Sequence, residues 1–237
     1  MFDMGYIKSP WLMKKLSLVN HLILRRANRI ITIGKWMARK IQRNYEIEPS
    51  SIEIVENWAL DVAYSAPTTA GPFVILYTGN IGLAHDFSYF PALLNALGQI
   101  ENIEIRFIGA GRQSSLATKM LEKHSKIRHT FSGYVERSEL DRTLASGHMF
   151  LIAQSERAVG DILPSKLYSY IAAGRPLLYL GTRKSEIGEL IGISRIGAII
   201  ECRNDLGNAV QMIKEYERRG AAYLAVCERV RRLYNTE

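Results

Sequence analysis

Two stretches of this sequence combine residue types and spacings that could do chemistry. The first is GDILPSKLYSYIAAGRP, residues 160–176. Pro164 suits the first turn of a helix, where its absent N–H costs nothing. Ser165 can cap that helix, and Lys166 then falls in the first turn. A lysine there stands beside free backbone amides at the positive end of the helix dipole, an anion site suited to a diphosphate. The competing reading is an ordinary solvated lysine on a surface helix. The second stretch is TGNIGLAHDF, residues 78–87. A G-N-x-G loop between a strand and a helix presents backbone N–H groups to whatever lies above it. Any tight β-α turn looks similar, so this signal alone is weak.

Other chemistries find little support. The histidines His21, His85, His124, His129 and His148 have no partner at metal-ligand spacing, so no metal is expected. No G-x-S-x-G elbow and no P-loop occurs. Gly109-Ala110-Gly111 opens a G-x-G-x-x-G pattern, but Ser114 occupies the third glycine position and no ribose-reading acid ends the next strand. A dinucleotide site is therefore not expected.

These segments sit in a regular alternation. Apolar, strand-like runs cover 73–79, 103–109, 127–133, 148–154, 175–181 and 197–202. Helical spacing follows each, at 86–100, 113–124, 137–146, 165–174, 185–192 and 204–220. Asp86 reads as an N-cap and Gly174 as a C-cap. Strands that are continuous apolar runs, joined by helices, predict an α/β fold with a doubly wound parallel sheet. Ligands bind at the carboxyl ends of such strands. Gly79, Gly109 and Gly133 fall on that edge, although tight turns need glycine for their own reasons. Upstream, residues 12–27, 29–34, 35–45 and 51–57 read as helix, strand, helix and strand. Two strands do not make a stable parallel sheet alone, so other strands or another chain must complete them. The stretch AYSAPTTAGP reads as a linker.

The net charge is +8. It is concentrated in residues 1–45, where ten lysines and arginines from Lys8 to Arg43 face Asp3 alone. Trp11, Leu12, Leu16, Leu18, Leu22, Ile23 and Leu24 are interleaved with them. Two readings fit: an amphipathic helix lying on an anionic bilayer, or a domain-packing helix with a solvated basic face. No nucleic-acid motif accompanies the charge. Cys202 and Cys227 are too few for a disulfide framework, which points to a reducing cytoplasm. No apolar run reaches membrane-spanning length, and the first residues lack a signal-peptide core.

RRANRIITIGKWMARKI, IEIVENWALD, ILYTGNIG, FIGAGRQ, FSGYVERSEL and LPSKLYSYIAAGRP follow one another in this order. Together they resemble the family 4 glycosyltransferases of GT-B fold, in particular the branch that builds exopolysaccharide and O-antigen units. The run P-S-K-L-x-x-Y-x-A-A-G-R-P is the most specific part. The resemblance implies a donor diphosphate bordered by Gly79, Asn80 and Gly82, and by the turn holding Gly109 and Gly111. It implies a nucleobase near Tyr134 and Val135, and Ser165 and Lys166 near the phosphates. The family's pair of glutamates falls on Asp161 and Ser169, and a serine there loses the charge-assisted bond to the ribose. Asn80 takes the place of the family's arginine.

The resemblance thus implies one complete Rossmann-like domain plus a partial second one. Residues 1–62 would be the end of an acceptor-side domain, 63–72 a linker, 73–219 the nucleotide-sugar donor domain and 220–237 a C-terminal helix. The implied activity is transfer of a sugar from a nucleotide-diphosphate donor to a glycan or lipid-linked acceptor, with no cofactor beyond that donor. The alternative is a non-catalytic donor-binding subunit that needs a separate acceptor-domain chain. The expected location is the cytoplasm, or the inner face of the plasma membrane through basic residues 8–43. No catalytic base is identified.

Overall fold

Strand-forming runs and glycine-ended turns alternate from Phe73 onward. The computed structural model, which describes residues 9–57, 62 and 64–235, folds them into one six-stranded sheet. Its strands are β3 (Phe73–Thr78), β4 (Ile103–Ile108), β5 (Arg128–Ser132), β6 (Met149–Ala153), β7 (Leu177–Leu180) and β8 (Gly197–Ile200). All neighbours pair in parallel, in the order β5-β4-β3-β6-β7-β8. The winding direction therefore reverses between β3 and β6, and the crevice outside that point is where a doubly wound sheet binds ligands.

Burial follows position in the sheet. Every residue of β3, β6 and β7 is buried, whereas the edge strand β5 alternates between exposed and half-buried. The expected apolar run at 127–133 is thus a half-solvated edge. Side chains alternate between two cores. Phe73, Ile75 and Tyr77 point to the face covered by α3 (Phe90–Leu97), α4 (Ser114–Glu122) and α8 (Asp205–Glu217). Val74 and Leu76 point to the face covered by α5 (Leu140–Ala145), α6 (Lys166–Ala172) and α7 (Glu186–Ser194). The final helix, α9 (Ala221–Asn235), contributes Tyr223 and Val226 to the first core and Val230 to the second. Each large apolar side chain removed from water in this way is worth about 1.5–3 kcal/mol.

Upstream lie α1 (Pro10–Arg26), β1 (Ile30–Thr32), α2 (Lys35–Tyr45) and β2 (Ile52–Ile54). Among the described residues β1 and β2 form a separate, two-stranded parallel sheet. Ile31 is 67% exposed, Ile54 and Val55 are exposed as well, and α1 buries none of its residues. Met1–Lys8, Trp58–Asp61, Ala63 and the last two residues lie outside the described residues, and with them the start of the expected linker. Residues 64–72 hold no helix or strand.

Several expected helices are shorter than their periodicity. The one expected over 86–100 starts at Phe90, with Pro91 in its first turn. The Asp86 carboxylate accepts from the N–H and hydroxyl of Ser88 instead of capping the helix. The one expected over 165–174 spans Lys166–Ala172. Gly174, at φ +68°, follows it as a left-handed stop.

Candidate functional site

At the switch point between β3 and β6 lies a cavity of about 460 Å³. Its walls are the loop after β3, the end of β6 and the start of α6. Gly79, Asn80, Gly82, Ser165, Lys166 and Ser169, all expected at the site, line it together.

Lys166 does not fit the competing reading of a solvated surface lysine. Its Nζ is shut off from solvent and has no hydrogen-bond partner among the described residues. It lies 3.6 Å from the centroid of the Tyr77 ring. Burial brings its pKa down from 10.5 to about 7. The ring face offsets part of the cost of burying the ammonium, by about 0.5–2 kcal/mol. It supplies no acceptor, and buried ammonium groups are ordinarily paired. Gly79, at φ +93°, faces this ammonium across the cavity, and a β-carbon there would come within 3.9 Å of Nζ. Ser165 has helical backbone angles and its side chain caps nothing, contrary to expectation. At seven residues α6 is short, so anion preference rests on the ammonium more than on the dipole. The backbone N–H groups of Asn80, Gly82, Ser165 and Lys166 have no acceptor among the described residues.

Gly109 and Gly111 belong to the packing beneath the site. A β-carbon on Gly109 would fall 2.1 Å from Gly79 O, and one on Gly111 would fall 2.4 Å from Ile81 O. The two loops are laced by Gly79 N–H to Ile108 O (2.8 Å), Ile81 N–H to Ala110 O (2.9 Å) and Gln113 N–H to Ile81 O (2.9 Å). These glycines let one backbone lie on the other. The Asn80 side chain sits between Gly82 and Gly111.

The remaining expected residues stand apart from the cavity. Tyr134 is 64% exposed and donates its hydroxyl hydrogen to Ala110 O, and Val135 is exposed beside it. Asp161 pairs with Lys40 of α2 at 2.9 Å. A larger opening of about 860 Å³ is lined by the start of α2, α6, α7 and the end of α9. Three of its charges are engaged: Glu186 accepts from Trp36 N–H at 2.7 Å, and Lys35 pairs with Glu189. Among the described residues no group of three or more potential ligands could hold a metal ion.

Several residues that shape the site escaped the sequence reading. Tyr77, read as one apolar strand residue, forms the floor under Lys166. Tyr170, one turn along α6 from Lys166, accepts from Thr78 N–H at 2.8 Å and ties the helix to the end of β3. Gln154 donates to Ile162 O at 2.7 Å and accepts from the Tyr179 hydroxyl at 2.9 Å, which fixes the loop leading to α6. His85, without a partner at metal-ligand spacing, joins Tyr77 and the G-N-I-G loop. The three-to-four-residue period of α6 was the one available signal, since it sets Lys166 and Tyr170 on one face.

The complete sheet with its crevice, and the parallel pair β1–β2 upstream, are those of a GT-B-type α/β protein. No family model matches the chain. It is 24% identical over 184 residues to the probable glycosyltransferase WbjE of Pseudomonas aeruginosa, covering 72% of this chain and 45% of that protein. The chain therefore spans less than half the length of this curated relative. Among solved structures it resembles Anabaena HepE in complex with UDP, with a TM-score of 0.69 and 12% identity over 97% of this chain and 65% of that one. It also resembles WaaG, a glycosyltransferase involved in lipopolysaccharide biosynthesis, with a TM-score of 0.61 and 17% identity over 97% of this chain and 66% of that one. At these identities the structural likeness establishes the fold.

Proposed function

We propose that this chain is the donor-binding portion of a family 4 glycosyltransferase. In this reading a sugar moves from a nucleotide-diphosphate donor to a glycan or lipid-linked acceptor during cell-surface polysaccharide synthesis, in the exopolysaccharide and O-antigen branch. The observation that carries it is the Lys166 ammonium, enclosed beside Gly79 and without an acceptor among the described residues. A diphosphate between the 79–82 loop and α6 would supply that acceptor. The free N–H groups of Asn80, Gly82, Ser165 and Lys166 would take further phosphate oxygens, stabilising the charge that develops on the leaving diphosphate. Ser169 would touch the ribose, and Tyr134 and Val135 the base. UDP in the similarly folded HepE, and the transferase descriptions of WbjE and WaaG, support this reading.

Residues 1–62 are read as the end of an acceptor-side domain, 63–72 as a linker, 73–219 as the donor domain and 220–237 as its closing helix. No helix among the described residues is long and apolar enough to cross a membrane. A cytoplasmic protein touching the inner leaflet fits α1, which exposes Trp11, Leu18 and Ile23 beside Lys14, Lys15, Arg25 and Arg26. The second reading, a donor-binding subunit completed by another chain, is favoured by the serine at position 169 and by the two-stranded first sheet.

Hydrogen exchange with UDP and with GDP tests the site: protection is expected at 79–82, 109–112, 133–135 and 161–169. Lys166→Ala should weaken nucleotide binding by about 1.5–3 kcal/mol, the range for a hydrogen bond to a charged group. Equal affinity for mutant and wild type, or no protection of these loops by either nucleotide, removes the assignment.

A further inference from the structure

The cavity floor carries a hydrogen-bond chain for which the donor-site reading gives no role. Tyr77 Oη is 2.6 Å from Asn80 O and 2.9 Å from His85 Nε2, and His85 Nδ1 is 2.8 Å from Gly82 O. Each of these three contacts needs one hydrogen. Asn80 O and Gly82 O can only accept. Tyr77 supplies one hydrogen and a neutral imidazole supplies one, so the neutral cluster is one short in either tautomer. With the hydrogen on Nδ1, Gly82 O is served and Tyr77 must choose between Asn80 O and His85. With the hydrogen on Nε2, Tyr77 and Asn80 O are served and a nitrogen lone pair faces Gly82 O. Only the imidazolium satisfies all three contacts.

In the nucleotide-free chain that charge is opposed. Burial, then the Lys166 ammonium, bring the His85 pKa down to about 4, against a smaller lift from Gly82 O. The other faces of the ring offer no charge: Phe87 stacks on it at 6.1 Å, and Tyr77 is held neutral by burial and by its neighbours Tyr170 and Tyr134. Asp86, next in the chain, is committed to Ser88. The two carbonyls held by this cluster, Asn80 O and Gly82 O, belong to the loop whose N–H groups would meet the phosphates.

We propose that His85 is the positioning residue of that loop, and that it takes up a proton from solvent when a nucleotide diphosphate fills the cavity. The proposal rests on the donor-site reading. A dianionic diphosphate beside Lys166 reverses the sign of the field at the imidazole, which favours the charged form. The added proton completes the run Asn80–Tyr77–His85–Gly82 and fixes the loop in its phosphate-binding shape.

The test is the imidazole ¹⁵N spectrum of the full chain, titrated alone and with UDP-glucose or GDP-mannose, sugar nucleotides whose diphosphates stay fully ionised through neutral pH. His85→Gln assigns the signal. Bound chain should show His85 as imidazolium at about pH 6, where the empty chain shows a neutral ring. The rise should shrink in Tyr77→Phe, whose single remaining contact a neutral ring can satisfy. Binding of either nucleotide with His85 still neutral at that pH overturns the proposal and leaves the donor site standing. Binding of neither overturns the donor-site reading and this proposal with it.

Discussion

At the scale of single residues, Lys166 sets binding against stability. An ammonium enclosed without an acceptor among the described residues costs free energy in the nucleotide-free chain, and an apolar replacement of similar volume removes that cost. Lys166→Met is therefore expected to stabilise the nucleotide-free chain by about 1–3 kcal/mol near neutral pH, while it weakens nucleotide binding by about 1.5–3 kcal/mol. The pH dependence follows from the shift. The folded pKa of about 7 lies below the unfolded value of 10.5, so the unfolded chain binds more protons between them. Wild-type stability should rise with pH across that window. The advantage of the methionine variant should be largest below pH 7 and fade above it, as urea melts at several pH values would read. A wild type more stable than the variant at pH 6 would mean that the ammonium is paired. In sequence, Lys166 was legible as an anion-facing residue, because P-S-K fixed where the helix begins. Its burial was not, because that depends on Tyr77, which is 89 positions away and was indistinguishable from its apolar neighbours in FVILYTG.

At the scale of elements, the site is held by loops that lie on one another. Gly109, at φ +143°, has the Gly79 carbonyl where a side chain would begin. Gly109→Ala must push that loop aside and adopt a backbone conformation that costs a non-glycine residue about 1–3 kcal/mol by itself. The expected loss exceeds about 3 kcal/mol, with Gly79–Gly82 amides exchanging faster than in wild type. Unchanged stability would mean that the two loops do not touch. Arg175, from the same A-A-G-R-P run, is fully buried. It donates to Gly147 O, Ala173 O and Ser65 O, so it joins the end of α6 to the connecting segment. The alternation of strands and helices was legible because most strands are apolar runs, and four of the six runs end in glycine. The strand order and the start of α3 were not. Pairing is set by tertiary packing, and a local turn at Asp86 outcompeted helical spacing that ran from that residue.

At the scale of the whole molecule, the two sheets differ in completeness. The six-stranded sheet has both faces covered, whereas β1 and β2 leave Ile31, Ile54 and Val55 in solvent. α1 adds Trp11, Leu18 and Ile23 to that exposed apolar surface. Surface of this kind marks an interface or an aggregation risk. The unit built on the six-stranded sheet grips α2 through polar contacts, Glu186 to Trp36 N–H and Asp161 to Lys40, so the first unit is docked although its own sheet is short. Transfer between two substrates draws much of its rate from orienting them, which needs both walls of the cleft. Two three-residue strands and their helices supply little of an acceptor wall. This chain by itself is therefore expected to bind nucleotide without turning donor over onto an acceptor, and to self-associate through residues 12–57. Ile31→Lys combined with Ile54→Lys should suppress self-association and leave nucleotide affinity within about twofold, since neither residue lines the cavity. Sedimentation would follow assembly, and a panel of labelled nucleotide sugars with a lipid-acceptor extract would follow transfer. Robust acceptor-dependent transfer by a monomer would show that one complete Rossmann-like unit and these two strands suffice.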